Sequence, residues 1–148
     1  MILPFQILAV VGSAAFAGVM LAIALILGPF WRSLPPADFL TWFAANSGLI
    51  VRTIPLVVGP TIFGLVGSIV LSWGDASIRN LWLAALGCIA VLLGLTVAYF
   101  FPINATFNQG AIAVDDVPGQ LDAWLAVHWV RIVLALAAAV FGLVAATR

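Results

Sequence analysis

The chain has 148 residues, of which 66% are hydrophobic and only 7% charged, and its mean hydropathy of +1.29 lies far outside the range of water-soluble domains. Too few polar residues remain to cover a soluble surface, and five Arg balanced by five Asp leave no basic cluster for a nucleic acid. The apolar runs exceed the ~20 residues that cross a bilayer as a helix, which argues against the short alternating segments of a β-barrel.

In chain order, the first span is expected over about residues 5–28, ending at GPFWR, where Pro29 and Trp31 mark an interface. It lacks a positive leading region and stays apolar past the Ala15-Phe16-Ala17 triplet, so it reads as a retained helix rather than a cleaved signal. SLPPADFLTWFAAN then predicts a short interfacial helix begun by Pro35 and Pro36. The second span, about 49–73, carries Arg52, Pro55 and Pro60. The brief turn GDASIRN makes it antiparallel to the third span, about 81–101, which Pro102 closes. A long acidic loop, INATFNQGAIAVDDVPGQLDAW, leads to the fourth span, about 123–146. The whole, residues 1–148, is expected to be one all-α domain, an up-down four-helix bundle whose immediate partner is the lipid bilayer.

Small residues recur at helix-packing spacing: Ala14 and Gly18; Gly64 and Ser68; Ala90, Gly94 and Ala98. They suit close helix contacts within a chain or between copies in a homo-oligomer. Cys88, the lone cysteine, lies in an apolar run and reads as an inert thiol, which excludes an internal disulfide. Arg79 and Arg148 on the side of the termini, against a more acidic opposite side, favour cytoplasmic termini in a bacterial inner membrane.

Up-down connectivity gathers the hydrophilic residues at one end of the bundle: Arg32, Arg52, Asn104, Asn108, His128 and Arg131. An arginine at membrane depth costs about 2.5 to 3.5 kcal/mol on insertion scales unless it snorkels or finds partners. His128, the only histidine, is three residues from Arg131, and their shared face continues through Ala135, Ala138 and Gly142. Small residues belong at a helix interface, so the pair is expected to face inward and form a polar pocket with the asparagines.

One histidine per chain cannot build a dinuclear metal site, and no carboxylate lies within a span to bridge irons. Two chemistries stay open. A haem could take His128 as axial ligand, with arginines for its propionates. Without a cofactor, a neutral histidine can remove an acidic C–H proton while Arg and Asn donors hold the enolate, and such carbanions react with dioxygen directly.

AFAGVMLAIALILGPFWR, FPINATFNQ and the W-x-x-x-H-x-x-R pattern of WLAVHWVR together resemble the anthrone-oxygenase-like family of small four-helix membrane proteins. The resemblance implies oxidation of an anthrone, a flat aromatic ketone, by molecular oxygen; a quinol-like substrate is an expectation added beside it. It implies site residues Asn104, His128 and Arg131; Arg52, Asn108, Arg32 and Trp124 are added by position as substrate-binding candidates. The competing reading is a non-enzymatic binding, transport or assembly subunit whose polar cluster grips an anion or fixes helix packing. A channel is disfavoured because polar residues do not continue through the other half of the bundle.

Overall fold

The computed structural model describes residues 2–148. Four helices long and apolar enough to cross a membrane follow one another: α1 (Leu3–Ser33), α2 (Pro36–Leu71), α3 (Ala76–Gln109) and α4 (Val114–Ala146). No strand occurs among the described residues. The chain is an all-α integral membrane protein. α1 packs against α2 and α4, and α4 packs against α3, while α2 and α3 touch more sparsely.

All four helices are longer than the spans expected from hydropathy, and in α1 and α3 the handling of proline explains why. Pro29 and Pro102 do not end their helices: α1 and α3 run past them to Ser33 and Gln109. Proline lacks the N–H for the i−4 carbonyl, and its ring collides with that carbonyl. Each helix answers with a π turn, Ile23–Leu27 in α1 and Thr96–Phe100 in α3, that stops two residues short of the proline. Widening the coil there relieves the clash without breaking the rod. α3 ends instead at Gly110, whose φ of 61° is the left-handed conformation a glycine adopts at low cost.

The separate interfacial helix expected before the second span is absent. Residues 36–48 form the first turns of α2, opened by extended Pro35 and by Pro36 within its first turn. Nothing at the join breaks the ladder: Asn46 donates to the Trp42 carbonyl at 2.8 Å rather than capping a new helix. Gly48 costs a helix interior only about 1 kcal/mol.

At the end of the bundle near the α2–α3 turn, backbones approach closely. A Cβ on Gly64 would lie 2.7 Å from the Phe5 carbonyl oxygen, so α1 and α2 meet main chain to main chain. Asp75 caps α3 there, accepting from the Ser77 and Ile78 amides at 2.9 and 3.1 Å. The stripe of Ala90, Gly94 and Ala98 is instead exposed on the outer face of α3.

Candidate functional site

Where α2 and α3 part, they enclose with α1 and α4 a cavity of about 570 Å³. Its walls are almost wholly apolar, with polar groups from Ser47, Thr96, Asn104, Trp124 and Arg131. This volume falls within the roughly 300–1,000 Å³ of small-molecule sites, which combine apolar walls with a few convergent polar groups.

Arg131 is buried to 6% exposure, and its guanidinium carbon stands 4.1 Å from the centre of the Phe100 ring, a cation–π contact. Phe100 belongs to the π turn of α3, so the backbone device that admits Pro102 also sets the ring beneath the arginine. Arg131 Nε has no hydrogen-bond partner among the described residues, although it is buried. Asn104 Oδ1 accepts the indole N–H of Trp124 at 2.9 Å. That bond orients the amide, leaving its NH2 as a donor on the cavity wall.

His128 is fully buried, with Nε2 2.9 Å from the Met20 carbonyl oxygen. A carbonyl only accepts, so Nε2 carries the proton and the lone pair of the neutral ring lies on Nδ1. Nδ1 has no partner among the described residues. The imidazole stacks on Trp124, centroids 4.9 Å apart at 15°. It is not itself on the cavity wall: Trp124 supplies the wall and His128 stands directly behind it.

Toward the near membrane face, rings close the cavity. Trp31, Phe39, Phe43 and Phe107 pack with centroids 5.1 to 6.0 Å apart, mostly edge to face. Ser47 Oγ donates to Asn108 Oδ1 at 2.8 Å across the same end, tying α2 to α3.

Of the residues expected from sequence, Asn104, Trp124 and Arg131 share the wall, with His128 behind it and Asn108 joined to it through Ser47. The other two lie elsewhere. Arg52 is exposed and does not line the cavity, whereas its helix neighbours Val51, Ile54, Pro55, Val58 and Gly59 do. Arg32 forms an exposed ion pair with Asp122 at 2.8 Å, beside a smaller cavity of about 280 Å³. Sequence reading missed Ser47, assigned to the segment before the second span, and the Met20 carbonyl, a backbone group that no side-chain pattern reveals.

A haem does not fit these residues. The Nε2 of His128 is engaged by Met20, His128 is off the cavity wall, and of the arginines only Arg131 lines the cavity, where a haem with two propionates needs more than one cation. Among the described residues no group of three His, Cys, Asp or Glu side chains is arranged to hold a metal ion.

The family described as anthrone oxygenase matches residues 42–141, well over half of the chain. The chain belongs to that family. No curated protein and no solved structure matches it. Ser47, Phe100, Asn104, Trp124, His128 and Arg131 all fall inside the anthrone oxygenase match, so most of the polar wall does too. Met20, Trp31 and Arg32 precede it. Membership of the anthrone oxygenase family points to oxygenase-like chemistry.

Proposed function

We propose that the protein oxidises the methylene carbon of a flat, apolar aromatic ketone of the anthrone type with dioxygen. The supporting observation is an apolar cavity at membrane depth that ends at a buried arginine with an unpartnered Nε–H. Arg131 offers only donors, so it complements an oxygen that accepts hydrogen bonds and gains negative charge. The Asn104 amide supplies a second donor on the same wall.

In this reading His128 Nδ1 takes a proton from the CH2 group, and the electron pair moves into an enolate held by Arg131 and Asn104. Dioxygen adds to that carbon, the peroxide takes up a proton, and loss of water leaves a second ketone. One O2 is consumed and one water released per substrate, with no outside reductant. Proton transfer requires the Trp124 ring to slide off His128, a movement that breaks its indole bond to Asn104 and frees the Asn104 amide. Cytoplasmic termini in a bacterial inner membrane belong to the same reading, carried by Arg79 and Arg148.

Oxygen uptake by the purified protein with anthrone tests this. Wild type consumes one O2 per anthrone, and His128→Phe, which keeps a ring against Trp124, loses about 10²–10⁴-fold in rate without losing helix content. Equal rates in the two proteins would remove the base assignment. A second reading, in which the polar cluster only fixes helix packing, is favoured by one observation: His128 bridges α4 to α1 from behind the wall. It predicts a fall in thermal stability for His128→Phe and unchanged turnover.

A further inference from the structure

The cavity has a mouth, and it does not face water. Its aqueous end is filled by the Trp31, Phe39, Phe43 and Phe107 rings and crossed by the Ser47–Asn108 bond. Several of its lining residues are exposed on the outside of the bundle at the depth of the spans. Val51 is 53%, Val97 62% and Phe101 55% exposed, though all three line the cavity. A residue that both lines a cavity and faces lipid stands at the rim of an opening. These rim residues lie on α2 and α3, the consecutive helices that touch least along their length.

The sill of the opening is built from residues with little side chain. Pro55 and Gly59, one turn apart on α2, are both exposed and both line the cavity. A Cβ placed on Gly59 would meet nothing within 4 Å, so open space begins at its main chain. The other jamb is the π turn of α3, which contributes Thr96, Val97 and Phe100. The polar groups stand at the inner end: Arg131 on α4 with its unpartnered Nε, and Asn104.

We propose that the gap between α2 and α3, bounded by Val51, Pro55, Gly59 and Val97, is a lateral window. It admits an apolar diaryl molecule with a single hydrogen-bond-accepting oxygen from the bilayer core. The molecule slides in with its rings between the helices and its oxygen leading toward Arg131. This deepens the oxygenase reading and rests on it for the nature of the substrate, while the window itself stands on the cavity. Dissolving such a molecule in lipid costs nothing that burial in apolar walls must then repay, so discrimination falls to the slot's width and to the donors at its end.

Benzophenone, an apolar diaryl ketone that labels its neighbours on irradiation, provides a probe that does not depend on turnover. With wild-type protein in phosphatidylcholine vesicles, brief irradiation should label Met20 and Phe100, mapped by mass spectrometry of the peptides. Gly59→Trp and Val97→Trp, which set an indole in the opening, should slow that labelling tenfold or more. Gly87→Trp, at an exposed glycine of α3 away from the cavity with open space around it, should leave it unchanged. Gly59→Leu, a smaller plug, should give an intermediate rate and guards against a Trp variant that fails to fold. Labelling of both indole variants at the wild-type rate would overturn the window. So would a tenfold acceleration in Phe107→Ala, which opens the aqueous end, and so would wild-type protein that leaves Met20 and Phe100 unlabelled. If labelling follows the expected pattern while anthrone drives no oxygen uptake, the oxygenase reading fails and the window survives.

Discussion

The two ends of the bundle solve helix packing in opposite ways. Near the α2–α3 turn, Gly64 and Gly67 let α2 press against Phe5 and its neighbours, and Gly142 receives the Trp82 ring. At the other end, π turns precede Pro29 and Pro102, large rings prop the helices apart, and a cavity of about 570 Å³ remains. Without a hydrophobic force between helices in lipid, close packing supplies the adhesion. The tight end therefore holds the bundle together, and the open end is free to carry a chamber and its polar groups. Buried hydrogen-bonding atoms without partners occur at both ends, Ser68, Ser72 and Trp82 at the tight one and Trp31, His128 and Arg131 at the open one, but the ionisable side chains among them, His128 and Arg131, are both at the open end; an apolar substitution there should damage chemistry more than folding.

The largest expected effect follows from that contrast. Arg131→Met retains the length and much of the apolar stem but removes every donor from the inner end of the cavity. Loss of one oxyanion donor costs about 10²–10³-fold in turnover. Oxygen uptake with anthrone should fall by that factor while the thermal midpoint in detergent rises or holds, because a buried charge without an anionic partner is replaced by an apolar chain. A large fall in stability with turnover per folded molecule intact would show that Arg131 serves packing, and the division of labour between the two ends would collapse.

Much of this architecture was legible from residues alone. Four apolar runs gave the helix number, and the three-residue spacing of His128 and Arg131 placed both on the face that carries Ala135, Ala138 and Gly142, all now buried. The failures have physical causes. Pro29 and Pro102 read as helix ends because the cost of a proline is easy to foresee, whereas a π turn that absorbs it is a backbone rearrangement with no side-chain signature. Arg52 was placed inward by its position near the polar end, yet position along a helix fixes depth and not direction: its side chain is exposed while Val51, Pro55 and Val58 line the cavity. His128 sharing a face with Arg131 did not put it on the cavity wall, since Trp124, one turn earlier on the same face, covers it.

Glycine substitutions sharpen the same comparison at the level of stability. A leucine at Gly64 has to displace the main chain of α1 at Phe5, Leu8 and Ala9, which no rotamer change relieves. Overpacking of this kind costs about 1–3 kcal/mol. A leucine at Gly59 meets open space outside its own helix, and Pro60, whose ring crowds a Cβ on the residue before it, offsets the gain of up to about 1 kcal/mol in helix propensity. Thermal unfolding in matched detergent should therefore separate the pair, Gly64→Leu well below wild type and Gly59→Leu close to it. Equal midpoints would mean that the two ends do not differ in closeness of packing.

The smallest effect is expected at the rim of the open end. Arg32 and Asp122 meet at 2.8 Å, but their side chains are 54% and 63% exposed, so water competes for both partners. Exposed ion pairs contribute about 0–1 kcal/mol. Arg32→Gln and Asp122→Asn should each lower stability by no more than that, and their effects should shrink further in high salt. Oxygen uptake should stay within about twofold of wild type in either variant, because the pair borders the smaller outer cavity and neither side chain lines the large one. If Arg32→Gln instead abolished turnover as Arg131→Met is expected to, the reactive centre would have to lie outside the aromatic plug, beside the 280 Å³ cavity, and the chamber between α2 and α3 would lose its claim to the chemistry.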